Sequence, residues 1–112
     1  MEYKHIEAQI HNYKVWTDIY RPVDIYHLLD ECLEEAEFVI LDFTEHHFPE
    51  GGYTAVWLLA ESHLAVHTFM PEKKTYIELS GCNNEKTNAF IDIINSRLNL
   101  YNEDSSCSHP YS

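Results

Sequence analysis

Four strand-like segments follow one another in the middle of this sequence, and no other feature constrains the fold as much. The segments are rich in β-branched and aromatic residues, and short runs containing Pro, Gly and charged residues separate several of them. A fifth segment of the same kind, residues 12–20, lies near the start of the chain. The four central strands are predicted at residues 38–43, 53–59, 62–69 and 75–79, with turns at 49–52 and 71–74.

Two amphipathic helices are predicted, over residues 23–36 and about 85–98, because apolar side chains recur there at helical spacing. Each helix must bury its apolar stripe, and one face of an antiparallel sheet is the simplest place for both. We therefore expect an α+β fold, a two-layer α/β sandwich with the order β-α-β-β-β-β-α and both helices on one face. The 112 residues fit a single domain, and the polar residues 101–112 are expected to form a flexible tail.

Charge and composition narrow the class of function. The formal net charge of −12 argues against nucleic acid or an anionic membrane surface as a partner, and it would attract a cationic small molecule. No apolar run approaches the roughly 20 residues that span a bilayer, so a cytoplasmic protein is expected. Cys32, Cys82 and Cys107 form no CxxC pair, which indicates neither a disulfide framework nor a structural zinc site. Cys32 is expected in the core, and Cys107 in the tail without a role.

One stretch carries the chemical information. Residues 60–69 read AESHLAVHTF, and Pro71-Glu72 and then Ser80-Gly81-Cys82 follow. This pattern resembles the signature of prokaryotic pyruvoyl-dependent S-adenosylmethionine decarboxylase proenzymes. Upstream, Phe48, Gly52 and Thr54 fall where that family has an aromatic residue, a glycine and a hydroxyl residue. The family commonly has Ser in place of Thr54, and Met70 is one extra residue before the Pro-Glu pair.

The resemblance implies self-cleavage between Glu61 and Ser62. The Ser62 hydroxyl would attack the Glu61 carbonyl to give an ester, and elimination would then leave a covalent pyruvoyl group derived from Ser62. His67 would act as the base of the elimination, and Thr54 would stabilise the oxyanion. The pyruvoyl ketone would form a Schiff base with the substrate amine and act as the electron sink of decarboxylation. Cys82 would return the proton to the decarboxylated carbanion.

The resemblance also implies the substrate and its contacts. S-adenosylmethionine would be converted to the aminopropyl donor for spermidine synthesis. Phe48 would stack on the adenine, Glu72 would accept hydrogen bonds from the ribose, and His63 and Leu64 would line the site beside the pyruvoyl group. Pyruvoyl decarboxylases acting on arginine or ornithine share this scaffold, so those substrates remain an alternative. A third hypothesis is that the chain is a catalytically silent relative that binds a partner.

A sheet with helices on one side leaves its other face uncovered, and a second copy of the chain is the obvious cover. We therefore expect a homodimer of cleaved protomers packed through sheet faces or edges, with Trp16 or Trp57 contributing to the face. By resemblance, the active site should lie near that interface.

Structural interpretations of the same residues compete with the catalytic ones. Along a strand, side chains alternate, so His63 and His67 share a face while Ser62 points the other way. Periodicity alone therefore does not place Ser62 beside His67, and each His could be a structural residue. A metal site is disfavoured, because the strand context separates the candidate ligands. Those candidates are His46, His47, His63, His67 and Cys82.

Overall fold

A computed structural model describes residues 9–102, which form one antiparallel sheet with two helices. The two-layer α+β architecture and the order of the first seven elements are those predicted. No helix within residues 9–102 is long and apolar enough to cross a membrane. The elements are β1 (His11–Thr17), α1 (Pro22–Glu35), β2 (Ile40–His47), β3 (Tyr53–Leu59), β4 (Ser62–Phe69), β5 (Lys74–Gly81), α2 (Asn84–Arg97) and β6 (Leu100–Asn102).

The strands lie in the order β2-β3-β4-β5-β1-β6, and every neighbouring pair is antiparallel. Strands β2 to β5 form a meander because only short connections separate them, and β1 joins the far side of β5. The connection between β3 and β4 is two residues long and places Glu61 at φ 62, in the left-handed region. Such a φ is uncommon for a residue with a Cβ, so this turn is strained.

The core lies between the sheet and the helices. Alternate residues of β3, β4 and β5 are buried, as expected for strands with one covered face. Trp57 is fully buried there, and its indole N–H donates to the Asp30 carboxylate of α1 at 3.0 Å. The prediction that Trp57 contributes to the open face is therefore wrong, because its strand parity points it inward. Cys32 is buried in the core, as expected.

The helices begin and join in ways that local chemistry explains. Pro22 occupies the first turn of α1, where the missing N–H costs nothing. Asn83 caps α2, since its side chain accepts a hydrogen bond from the Lys86 N–H at 2.9 Å. Arg97, in the last turn of α2, bonds to carboxylates of α1 at Glu31 and Glu35 and so ties the two helices together.

The open face of the sheet is mixed in character. It contains a cluster of three aromatic rings, in which Trp16 lies 5.6 Å from Phe69 and 5.3 Å from Tyr76 between ring centroids. Apolar side chains are also exposed on it, with half of the Leu58 side chain and 39% of Phe69 accessible. Thus Trp16 lies on the open face as predicted, alongside polar residues.

Several strands end at other residues than predicted. Strand β1, predicted over residues 12–20, ends at Thr17, and β5, predicted over residues 75–79, extends over Lys74–Gly81. Leu100–Asn102 forms a sixth strand on β1, so the tail predicted from residue 101 is wrong for Tyr101 and Asn102. The rest of that tail, including Cys107, lies outside the described residues. Strand β2 extends to His47, four residues beyond the predicted end, because residues 42–47 pair in register with β3.

Candidate functional site

The predicted site residues fall into two groups at opposite ends of β4. We call Glu61, Ser62, Gly81 and Cys82 the cleavage cluster, and Phe48, Thr54 and His67 the imidazole cluster. The cleavage cluster lies at the β3–β4 turn and the end of β5. The imidazole cluster lies five residues further along β4, beside the β2–β3 turn.

In the cleavage cluster, Ser62 is the first residue of β4 and directly follows the strained Glu61. It pairs with Leu59 on one side and with Gly81 on the other. Its side chain is half-buried and shares the helix-facing side of the sheet with Leu64. The residue predicted as nucleophile is therefore held between two strands at the edge of the core.

Cys82 follows β5 and lies across from the predicted cleavage point. Its thiol donates towards the Glu61 carboxylate, with Sγ 3.4 Å from Oε1, and lies 3.8 Å from the Glu61 carbonyl oxygen. The hydrogen bond to Glu61 raises the pKa of the Cys82 thiol, and desolvation and the carboxylate charge add to the effect. A thiol with a raised pKa stays protonated at neutral pH, which suits a proton donor rather than a nucleophile.

In the imidazole cluster, Thr54 and His67 are directly opposite on β3 and β4. Thr54 Oγ1 and His67 Nδ1 are 3.0 Å apart, so a hydrogen bond fixes the imidazole and leaves Nε2 for proton transfer. The Tyr76 ring lies nearly parallel to the imidazole, at 15°, with a centroid distance of 6.4 Å. An oriented imidazole of this kind is suited to act as a general base.

A cavity of about 380 Å³ opens beside this histidine. Phe48 forms part of its wall with 44% of the residue exposed, and the His46 ring packs edge-on against Phe48 at 4.5 Å. An exposed aromatic ring at a cavity wall is suited to stacking on a flat ligand. Glu72 lies in the β4–β5 turn, one residue beyond the lining. The lining residues are Phe48, Glu50, Gly52, Tyr53, Thr54, His67, Thr68, Phe69, Met70 and Pro71.

The remaining two predicted residues follow Ser62 on β4 and lie on opposite faces of the sheet. His63 is exposed on the open face, opposite Leu58 and Ser80. Leu64 is fully buried in the hydrophobic core. Its side chain therefore does not line a surface site, since it points between sheet and helices.

One copy of the chain does not bring the two clusters together. Five residues of strand separate Ser62 from His67, or about 16 Å at 3.3 Å per residue. The two side chains also point to opposite faces of the sheet, as the alternation along β4 requires. Hydrogen-bonded proton transfer needs roughly 3 Å, so His67 cannot reach Ser62 of its own copy.

The residues considered as metal ligands are dispersed. His46 and His67 lie on either side of Thr54, while His47 packs against Tyr53, with ring centroids 4.8 Å apart. Cys82 lies at the other end of the sheet. Within residues 9–102 no group of three or more His, Cys, Asp or Glu side chains could hold a metal ion.

Some features of the site were not anticipated from sequence. Glu50 and Met70 line the cavity, although the sequence indicates only a turn residue at Glu50 and an insertion at Met70. The contact of the Glu61 carboxylate with Cys82 depends on the pairing of β4 with β5, which no local signal reveals. The same holds for the approach of Gly81 to Ser62.

Comparison with known proteins relates this chain to one family. A family model described as S-adenosylmethionine decarboxylase matches residues 5–106. The S-adenosylmethionine decarboxylase proenzyme of Hydrogenobaculum sp. is 35% identical over 62 residues, which are 55% of this chain and 46% of that protein, so the match spans about half of the relative's length. A crystal structure of adenosylmethionine decarboxylase from Aquifex aeolicus superposes with a TM-score of 0.68 at 20% identity, over 86% of this chain and 89% of that one, and shows a shared fold.

Proposed function

Since the chain belongs to the S-adenosylmethionine decarboxylase family, we propose that it is a proenzyme that cleaves itself between Glu61 and Ser62 and then decarboxylates S-adenosylmethionine. One observation carries the proposal most directly. The Glu61–Ser62 bond lies in a strained turn, with a protonated thiol against the carboxyl side of that bond. Strain raises the energy of the intact chain and so favours a reaction that relieves it.

Processing uses only side chains of this protein and water. The Ser62 hydroxyl oxygen attacks the Glu61 carbonyl carbon, the amide C–N bond breaks, and the hydroxyl proton passes to the nitrogen. A base then removes the Cα proton of Ser62, and the Cβ–Oγ bond breaks to release the Glu61 carboxylate. Water hydrolyses the resulting dehydroalanine to a pyruvoyl group and ammonia. His67 is the base and Thr54 supports the oxyanion in this proposal.

The cleavage cluster fits the pyruvoyl group that would form there. A covalent group derived from Ser62 occupies the position of that residue, where Gly81 leaves room beside it. The group supplies a ketone that takes up the electrons released by decarboxylation. Cys82 holds its proton next to this position, so we assign it the protonation of the product carbon.

A second copy would complete the site. The separation of about 16 Å within one chain means that His67 and Thr54 must approach Ser62 from a partner. A twofold axis that runs between two stacked open faces pairs the same patch on both copies, and in this proposal it brings the imidazole cluster of each copy to the cleavage end of β4 in the other. The exposed Leu58 and Phe69 and the half-buried Trp16 supply apolar area for this contact. We therefore propose a homodimer with two shared sites.

The cavity beside His67 supports an adenosyl substrate. Phe48 offers a ring for the adenine, and Glu72 lies in the adjoining turn, where its carboxylate could accept hydrogen bonds from ribose hydroxyls. The product would be the aminopropyl donor for spermidine synthesis. The unpaired thiols of Cys32 and Cys82 suit the reducing cytoplasm, where we place the enzyme.

Denaturing electrophoresis with mass spectrometry tests the processing step. We expect two fragments, residues 1–61 and 62–112, the second with a blocked terminus, while a Ser62→Ala chain stays whole. Full-length parent protein after long incubation would contradict self-cleavage and favour a silent relative. Carbon dioxide release from S-adenosylmethionine, arginine and ornithine, measured side by side, then identifies the substrate.

A further inference from the structure

Gly81 approaches Ser62 more closely than any residue with a side chain could. A Cβ built on Gly81 would lie 2.3 Å from Ser62 Oγ and 2.9 Å from Ser62 Cβ. Directly opposed residues of an antiparallel pair ordinarily have Cβ atoms about 4.5–5.5 Å apart. The backbone of Gly81 does not require glycine, since its φ is not positive. The glycine is therefore required by space, and the atoms that occupy this space are the Ser62 hydroxyl oxygen, which is nearest, and the Ser62 Cβ.

We propose that Gly81 is a positioning residue for the self-cleavage reaction, because it alone leaves room for the Ser62 hydroxyl in its observed rotamer. This inference rests on the proposed function, in which that hydroxyl is the nucleophile. Attack on the Glu61 carbonyl closes a five-membered ring through Oγ, Cβ, Cα, N and the carbonyl carbon. The ring forms only from the two of the three staggered serine rotamers that keep Oγ gauche to the backbone nitrogen, so crowding beside Ser62 reduces the conformations from which attack can occur.

A methyl group at position 81 meets both Oγ and Cβ of Ser62, so rotation of the hydroxyl and separation of the two strands are both needed to relieve the contact. Rotation of Ser62 moves Oγ out of its rotamer. Separation of β4 from β5 pulls Cys82 away from Glu61, because residue 81 directly precedes Cys82 and pairs with Ser62. We expect the Gly81→Ala chain to cleave at least about tenfold more slowly than the parent, which corresponds to a loss of about 1.4 kcal/mol at the transition state.

The step that is blocked distinguishes a misplaced nucleophile from a failure of the later elimination. If Gly81 orients the nucleophile, the Gly81→Ala chain fails before the ester forms, and hydroxylamine added to native protein releases no fragment. In a His67→Ala chain, by contrast, the ester forms and hydroxylamine cleaves it. Hydroxylamine-released fragments accumulating in Gly81→Ala would overturn the proposal.

Thermal unfolding of chains that cannot cleave tests the contact independently of the reaction. In a Ser62→Ala chain the Cβ contact of 2.9 Å remains, so adding Gly81→Ala should lower the melting temperature by about 5 °C or more. In a Ser62→Gly chain nothing is left to clash with, so the same substitution should not lower it. An equal decrease in both backgrounds, or a decrease in neither, would refute the steric claim. A parent chain that never cleaves would refute the proposed function, whereas this comparison would still decide the contact.

Discussion

Complementation between two inactive variants tests whether the site is shared. A Ser62→Ala chain cannot cleave because it lacks the nucleophile, and a His67→Ala chain should stall because it lacks the base. The two residues of one copy are about 16 Å apart and on opposite faces, which no side-chain rotation can bridge. In a heterodimer of the two variants, however, the proposed shared site combines the intact Ser62 of one copy with the intact His67 of the other.

The expected yield follows from counting. Equal co-expression with random pairing gives heterodimers as about half of all dimers, so about half of the His67→Ala chains have a partner with an intact imidazole. We expect about half of those chains to be cleaved, against little cleavage when His67→Ala is expressed alone. Chains of different mass, set by a tag on one variant, are resolved by denaturing electrophoresis, and analytical ultracentrifugation confirms that the sample is dimeric. A dimeric mixture in which the His67→Ala chain stays whole would refute the shared site, and so would full cleavage of that variant alone or a fully active monomer.

Two further predictions concern Cys82. A Cys82→Ala chain should still cleave, at least slowly, yet lose most decarboxylase activity, because protonation of the product carbon comes after processing. Unchanged carbon dioxide release per cleaved chain would show that Cys82 is not the proton donor. Alkylation of Cys82 by iodoacetamide, followed in uncleaved Ser62→Ala,Cys107→Ser protein, should show a thiol pKa above the ordinary value, because the Glu61 carboxylate favours the protonated form. Adding Glu61→Gln removes that charge, so alkylation of Cys82 near pH 8 should become faster. The buried Cys32 serves as the unreactive internal control. Equal alkylation rates with and without Glu61→Gln would exclude the contact between Cys82 and the Glu61 carboxylate.

The central strands were predictable because local pattern and tertiary structure agree there. The predicted bounds of β3 and β4 coincide with those in the structure, since a two-residue connection and β-forming residues define both strands. Strand β6 was not predictable, because three residues carry no periodicity and pair only after α2 has returned the chain to β1. The position of Trp57 was ambiguous for a related reason. It is followed by two leucines, so hydrophobicity alone does not tell which parity faces the core.

The candidate site also has a part that local pattern predicts and a part that depends on the register between strands. Alternation correctly separated Ser62 from His63 and His67, and residue types indicated which side chains could carry chemistry. The partners of those side chains depend on register between strands. Thr54 meets His67 because β3 and β4 pair through a two-residue turn, a pairing that the sequence suggests. Gly81 and Cys82 meet Ser62 and Glu61 across β4 and β5, and only the folded sheet fixes that register.

The topology also bears on what cleavage at Glu61–Ser62 would do to the protein. The bond joins the last residue of the β3–β4 turn to the first residue of β4, so breaking it leaves the paired strands side by side. Residues 9–61 contribute β1, β2, β3 and α1, while residues 62–102 contribute β4, β5, β6 and α2. Because β1 lies between β5 and β6, and β3 pairs with β4, each part fills positions in the sheet that the other leaves open. The bonds of Arg97 to α1 join the two parts again in the helical layer. Neither part can leave without breaking two ladders of seven residue pairs each, one between β1 and β5 and one between β3 and β4. The cleaved chains should therefore remain one folded unit.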